Sequence, residues 1–170
     1  MKNVKDAKRI VIKVGTSTLT HRNGRLNLKL MDRLAMVLSD IKNSGREVIL
    51  VTSGAVTAGM NKMGLKERPK EVKEKQAAAS VGQCELMFIY DKLFSQYGHV
   101  VSQLLLTKDV TENEVLCNNV VNTFETLLSY HVLPIINEND SVAIDELVYG
   151  DNDMMSSVTA KILDADLLII

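Results

Sequence analysis

Residues 8–15, KRIVIKVG, form the stretch from which the fold can be worked out. The run is short, apolar and rich in β-branched residues, and it ends at a glycine, which together predict a buried strand. Four more apolar runs of this kind occur at residues 47–51, 99–106, 132–136 and 167–170. A segment with helical spacing of its apolar residues lies between each strand and the next, so the chain alternates strand and helix.

This alternation predicts an α/β fold, a three-layer α/β/α sandwich with a mainly parallel central sheet. An apolar stripe from Leu28 predicts a helix that ends near Gly45, and residues 71–97 predict a long helix that Gly82 would weaken. Residues 142–149 could form a small hairpin. The last apolar run opens a strand and nothing follows it, so we expect an N-terminal part of a longer protein, incomplete at the C-terminus.

Composition excludes several classes of function. The net charge is −1 at pH 7 and the basic residues are scattered, which argues against nucleic acid or an anionic membrane as the main partner. No stretch is long and apolar enough to span a bilayer. Cys84 and Cys117 are isolated from each other, which favours reduced thiols in a cytoplasmic protein.

Small polar segments follow three of the predicted strands. They are GTSTLT at residues 15–20, TSGAV at 52–56 and NEND at 137–140. In parallel α/β sheets, ligands bind at the carboxyl ends of the strands. If the predicted topology holds, these three loops form one site.

The third loop opens an acidic stretch, PIINENDSVAIDELVYGDND, residues 134–153. No Lys or Arg occurs from 131 to 160, so the carboxylates have no local counter-charge. Such a stretch suits an ammonium group or a metal ion; the alternative is a solvated acidic loop with Asp151 or Asn152 as a helix N-cap. The carboxylates are Glu138, Asp140, Asp145, Glu146, Asp151 and Asp153.

Lys13 and the segment Ser53-Gly54-Ala55 are candidates for binding anions. A lysine in an apolar strand must reach solvent or meet an anion, and Gly15 and Thr16 would let backbone N–H groups approach a phosphate. The alternatives are an exposed face of an edge strand for Lys13, and a plain tight turn with Ser53 as N-cap. The sequence lacks GxxxxGK[ST], GxGxxG and GxSxG, and no metal-ligand set is predicted.

Across its whole length the chain resembles the amino acid kinase family. The resemblance is carried by IVIKVGTSTLT (10–20), VTSGAVTAGM (51–60), KQAAASVGQ (75–83), QLLLT (103–107), PIINENDSVA (134–143) and YGDND (149–153). The first motif is shared widely in the family. The order of NEND and GDND is more specific, and is similar to members that act on L-glutamate.

The resemblance implies transfer of the ATP γ-phosphoryl group, with Mg²⁺, to the side-chain carboxylate of L-glutamate, in proline biosynthesis. By similarity, Lys13 neutralises the moving phosphoryl group and Asp153 orients the catalytic lysines. The implied glutamate ligands are Ser53, Asp140, Asn152 and, less strongly, Asn137. The implied lining of the phosphate and carboxylate path is Gly15, Thr16, Gly54 and Ala55.

The resemblance also implies features outside residues 1–170. The family's nucleotide-binding portion, a second catalytic lysine and an RNA-modification-like domain would follow this portion, so we expect weak or no activity from it alone. Dimers or tetramers and inhibition by L-proline are implied too. Three rival hypotheses stay open: a sibling kinase for N-acetylglutamate, aspartate or carbamate, a non-catalytic amino-acid sensor, and an α/β scaffold with acidic loops.

Overall fold

Five parallel strands build the sheet in the computed structural model, which describes residues 4–143 and 152–170. The strands are β1 (Arg9–Lys13), β2 (Glu47–Val51), β3 (Val101–Leu106), β4 (Leu133–Glu138) and β5 (Leu167–Ile169). Their order in the sheet is β3-β4-β2-β1-β5. The three strands that carry the small polar loops, β4, β2 and β1, therefore lie side by side in the middle of the sheet.

Six helices of the described residues surround this sheet. They are α1 (Thr16–Leu19), α2 (Leu28–Asn43), α3 (Ala55–Met63), α4 (Val72–Ser95), α5 (Glu114–Ser129) and α6 (Asp153–Ile162). Short 3₁₀ turns occur at Val4–Asp6 and Lys108–Thr111. Within the described ranges, no helix is both long enough and apolar enough to cross a membrane.

Alternating side chains of the central strands build two separate cores. Ile10, Val48 and Leu50 pack on one face against α2, α3 and α4. Val11 and Ile49 pack on the opposite face against α5 and α6. Because each strand contributes to both cores, its residues are apolar on both faces, as the sequence pattern predicted. The three-layer α/β/α arrangement is confirmed.

Two details differ from the sequence-based expectation. Strand β1 pairs with β2 on one side and β5 on the other, so the interpretation of Lys13 as part of an edge strand was wrong. Strand β4 continues two residues beyond its predicted end, because Asn137 and Glu138 still pair with β3. The hairpin predicted at 142–149 falls mostly outside the described residues.

A close crossing of α3 and α4 explains the glycine inside the long helix. A Cβ at Gly82 would lie 1.7 Å from the backbone oxygen of Ala55, and one at Gly59 would lie 1.7 Å from that of Ala78. Both obstacles are backbone atoms, which cannot move away as a flexible side chain would. Gly82 lowers helix propensity, but it lets α4 approach the start of α3.

We expect Gly82→Ala to destabilise the protein by about 3 kcal/mol or more, because the clash with Ala55 exceeds the gain of about 1 kcal/mol in helix propensity. Urea unfolding measures the free energy of unfolding. Ser80→Ala, an exposed change on the same helix, is the control and should shift it by less than about 0.5 kcal/mol. An unchanged or higher stability of Gly82→Ala would contradict the close crossing.

Candidate functional site

The loops after β1 and β2 touch each other at the carboxyl edge of the sheet. Gly54 has φ of 94°, a left-handed conformation that favours glycine. A Cβ at Gly54 would lie 3.6 Å from Cγ2 of Thr16. Gly54, and not Ser53, is the N-cap of α3, and no side chain caps that helix. The first N–H groups of α3, from Ala55 onward, thus begin beside the loop that follows β1.

Lys13 forms an ion pair across the same edge. Its Nζ lies 2.5 Å from Oδ1 of Asp153, the first residue of α6. The Lys13 side chain is 13 % exposed and that of Asp153 is 44 % exposed. A Cβ on Gly15 would lie 3.6 Å from the same Nζ. The ammonium group is therefore held at the end of β1, at the start of the glycine loop.

The side chain of Asn152 joins three segments beneath this ion pair. Its Nδ2 lies 2.8 Å from the backbone oxygen of Thr52, 3.0 Å from Oγ of Ser53 and 3.0 Å from Oδ1 of Asn137, so its two hydrogens are shared among three acceptors. Asn152 precedes α6 as its N-cap residue, but its side chain does not cap the helix. The predicted N-cap position is therefore confirmed for Asn152, whereas its side chain bonds to other segments and does not cap the helix. Asp151 lies outside the described residues.

Helix α4 supplies two polar partners that the sequence analysis did not single out. Oε1 of Gln83 accepts from Nδ2 of Asn137 at 2.9 Å, and the hydroxyl of Tyr90 shares a hydrogen bond of 2.8 Å with the hydroxyl of Thr52. Burial raises the pKa of Tyr90, so its hydroxyl stays protonated. Gln83 ends one of the motifs shared with the kinase family, which was the available signal.

Two buried acceptors, one in the loop after β4 and one at the start of α6, have no donor among residues 4–143 and 152–170. They are Oδ1 of Asp140 and Oδ1 of Asn152, and these residues are 6 % and 1 % exposed. Burial and the nearby charge of Glu138 raise the pKa of Asp140 to about 7. A buried acceptor without a donor costs stability, so both oxygens can accept a hydrogen bond from a group outside the described residues.

The structure thus brings together most of the residues that the sequence singled out. Lys13 meets Asp153, Ser53 and Asn137 meet Asn152, and the loops of Thr16 and Gly54 touch. Asp145 and Glu146 lie outside the described residues. In the part of the chain that the structure describes, no three His, Cys, Asp or Glu side chains are grouped to hold a metal ion.

Comparison with known proteins points in one direction. Residues 8–170 match the model of the amino acid kinase family. The chain is 54 % identical over 173 residues to the glutamate 5-kinase of Clostridium perfringens, covering 99 % of this chain and 64 % of that protein. It is 55 % identical over 171 residues to that of Listeria innocua and 53 % identical over 170 residues to that of Enterococcus faecalis. These alignments cover 98 % of this chain and 62 % and 63 % of those relatives, so it spans less than two thirds of their length.

We expect Asp140→Asn to stabilise the ligand-free protein at pH 8 but not below pH 4. Because the pKa of Asp140 is raised from 3.8 to about 7 in the folded state, the stability present when it is protonated is lost as the pH rises through that interval. The Asn variant escapes this loss, by up to about 4 kcal/mol at pH 8. Urea unfolding at pH 4, 6 and 8 measures the difference.

Asp91→Asn, at an exposed carboxylate on α4, is the control for a change of net charge and should show no such pH-dependent gain. A constant difference between wild type and Asp140→Asn from pH 4 to pH 8 would mean that Asp140 is not a strained buried carboxylate.

Proposed function

The chain belongs to the amino acid kinase family, and on that premise we propose that it is the glutamate-binding part of a glutamate 5-kinase. The proposed reaction transfers the γ-phosphoryl group of ATP to the side-chain carboxylate of L-glutamate and gives L-glutamyl 5-phosphate. Three relatives named glutamate 5-kinase, 53–55 % identical to the chain, support the assignment. The observation that carries it is the pair of buried acceptors that have no donor among the described residues.

An α-ammonium group matches these acceptors. Oδ1 of Asn152 can only accept a hydrogen bond, and Oδ1 of Asp140 can only accept one while its carboxyl group is ionised. An ammonium group offers three N–H donors and a positive charge. Binding it would relieve the cost of burying the Asp140 carboxylate. An acetylated amine brings one N–H and no charge, so the site favours glutamate over N-acetylglutamate. Aspartate carries the same ammonium, and the two differ in side-chain length.

Lys13 is the proposed electrostatic catalyst. The attacking group is already a carboxylate, so no general base is required, and the barrier depends on alignment and neutralisation of charge. The Nζ of Lys13 stands at the edge where the loops of Gly15 and Gly54 meet, which suits it to bind a phosphoryl oxygen. Asp153, whose Oδ1 lies 2.5 Å from Nζ of Lys13, holds the ammonium of Lys13 in place.

The described residues fit the phosphate end of ATP. Lys13, Gly15 and Thr16 would bind its oxygens, and the start of α3, near Gly54 and Ala55, would face the carboxylate path. When bound with the nucleotide, Mg²⁺ neutralises charge on the phosphates.

The proposal assigns residues 1–170 to the glutamate-binding portion of the kinase domain, with most of the nucleotide site in the part of the relatives' length that this chain does not span. Weak or no activity of the isolated chain follows from this division. We further propose a cytoplasmic enzyme of proline biosynthesis that forms dimers or tetramers and is inhibited by L-proline, as the family resemblance implies.

The decisive experiment compares L-glutamate, L-aspartate and N-acetylglutamate as phosphoryl acceptors for the full-length protein with ATP and Mg²⁺. We expect kcat/KM for glutamate to exceed that for N-acetylglutamate by at least about 10²-fold, because the acetylated amine leaves the charge of Asp140 unpaired. Trapping the acyl phosphate with hydroxylamine measures the rate. A preference for N-acetylglutamate or aspartate would move the protein to a sibling kinase.

Lys13→Met separates the kinase from a non-catalytic sensor. We expect kcat to fall by about 10²–10³-fold while calorimetric affinity for glutamate stays within a few fold, since Lys13 acts on the phosphoryl group. Lys29→Met, at an exposed lysine of α2, is the matched control and should retain activity. Glutamate binding without any phosphorylation by the wild type would favour the sensor.

A further inference from the structure

Four amide side chains run in a line from the surface to the candidate site. Nε2 of Gln83 donates to Oε1 of Gln103 at 3.1 Å, and Nδ2 of Asn137 donates to Oε1 of Gln83 at 2.9 Å. Nδ2 of Asn152 donates to Oδ1 of Asn137 at 3.0 Å. Gln103 is exposed, whereas Gln83, Asn137 and Asn152 are buried. In this row of four amides, each nitrogen donates to the oxygen of the next amide toward Gln103.

The backbone oxygen of Thr52 sets the orientation of the amides in this row, starting from Asn152. The oxygen of Thr52 can only accept, so the Asn152 group 2.8 Å away must be the amide nitrogen. The oxygen of Asn137 must then accept from Asn152, and its nitrogen must donate to the oxygen of Gln83. The same order turns Oδ1 of Asn152 away from these partners, and within residues 4–143 and 152–170 this oxygen has no donor.

Gln83 is the amide of this row that lies on helix α4, whereas Gln103 and Asn137 lie on strands. It follows Gly82, whose missing side chain lets α4 lie against the backbone of Ala55. Tyr90, two turns later on α4, anchors the helix to the hydroxyl of Thr52 at the end of β2. Gln83 is thereby held with an oxygen facing Asn137 in a buried place where water cannot easily replace it.

We propose that Gln83 is a positioning residue that holds Asn137, and through Asn137 keeps the Asn152 side chain in place to accept from the α-ammonium of the substrate. This inference rests on the proposed function, because it names glutamate as the ligand. An apolar side chain at position 83 would leave Nδ2 of Asn137 without its acceptor. Turning the Asn137 amide over would set its NH₂ group against the NH₂ group of Asn152, so neither state of Asn137 would hold Asn152 as in the wild type.

The test is steady-state kinetics of the full-length protein carrying Gln83→Met, which keeps the length and removes both polar atoms. We expect KM for L-glutamate to rise about tenfold, the effect of one hydrogen bond to a charged group, with kcat and KM for ATP within about twofold. Glutarate differs from glutamate only in lacking the amino group, so its inhibition constant should stay unchanged. Gln96→Met, the same substitution at an exposed position after α4, is the control.

Gln83→Glu provides the rescue, because its carboxylate still accepts from Asn137 and exposed Gln103 can turn to donate. We expect KM for glutamate within about threefold of wild type for this variant. An unchanged glutamate KM in Gln83→Met, or an equal weakening of glutarate, overturns the role of Gln83. If Gln83→Met does not fold, the Gln83→Glu variant decides. A tenfold rise of its KM for glutamate, although the acceptor at position 83 is kept, overturns the role of Gln83. A wild-type enzyme that does not use glutamate refutes the proposed function instead.

Discussion

The hydrogen bond from Asn152 to the backbone oxygen of Thr52 joins two segments 100 positions apart in sequence. It places the start of α6 directly over the end of β2. Asp153 is the next residue, so the same bond brings its carboxylate to Lys13 at the end of β1. Because the partner of Asn152 is a backbone carbonyl, its amide has one permitted orientation. The charge pair and the open acceptor at the site both depend on that orientation.

Stability and ligand recognition act against each other in this site. The glycine crossing of α3 and α4 and the buried hydroxyl pair of Thr52 and Tyr90 make the surroundings rigid. Within that frame, the buried carboxylate of Asp140 and the Asn152 oxygen, which has no donor in the part of the chain that the structure describes, are unfavourable. A surface loop could relax to relieve this cost, whereas a site tied to three central strands and two helices cannot. The cost is consistent with a pre-organised site for a cation.

The sequence predicted the layers of the fold, because these depend on local patterns, and the same patterns indicated the candidate site. Alternating apolar strands and helices implied the parallel sheet, and the small polar loops marked its carboxyl edge. The side-by-side order of β1, β2 and β4 is a long-range property, so the contact of Asn152 with Thr52 and Asn137 was beyond local analysis. The contact of Gln83 with Asn137 was likewise not predicted, because helical periodicity places Gln83 among apolar residues of α4. Gly82 was expected to weaken α4, and the close packing of α3 against α4 explains why a glycine is needed there.

Proton release on glutamate binding tests most directly whether a buried carboxylate at Asp140 receives the ammonium. It is measured by titrating the full-length protein with L-glutamate at pH 7 in buffers of different ionisation enthalpy. Because burial raises the pKa of Asp140 to about 7, part of the free protein carries a protonated Asp140 at pH 7, and binding a cation ionises it. The account predicts release of a fraction of a proton per glutamate at pH 7, falling toward zero as the pH rises and absent in Asp140→Asn. Binding without proton release, or with proton uptake, would contradict it.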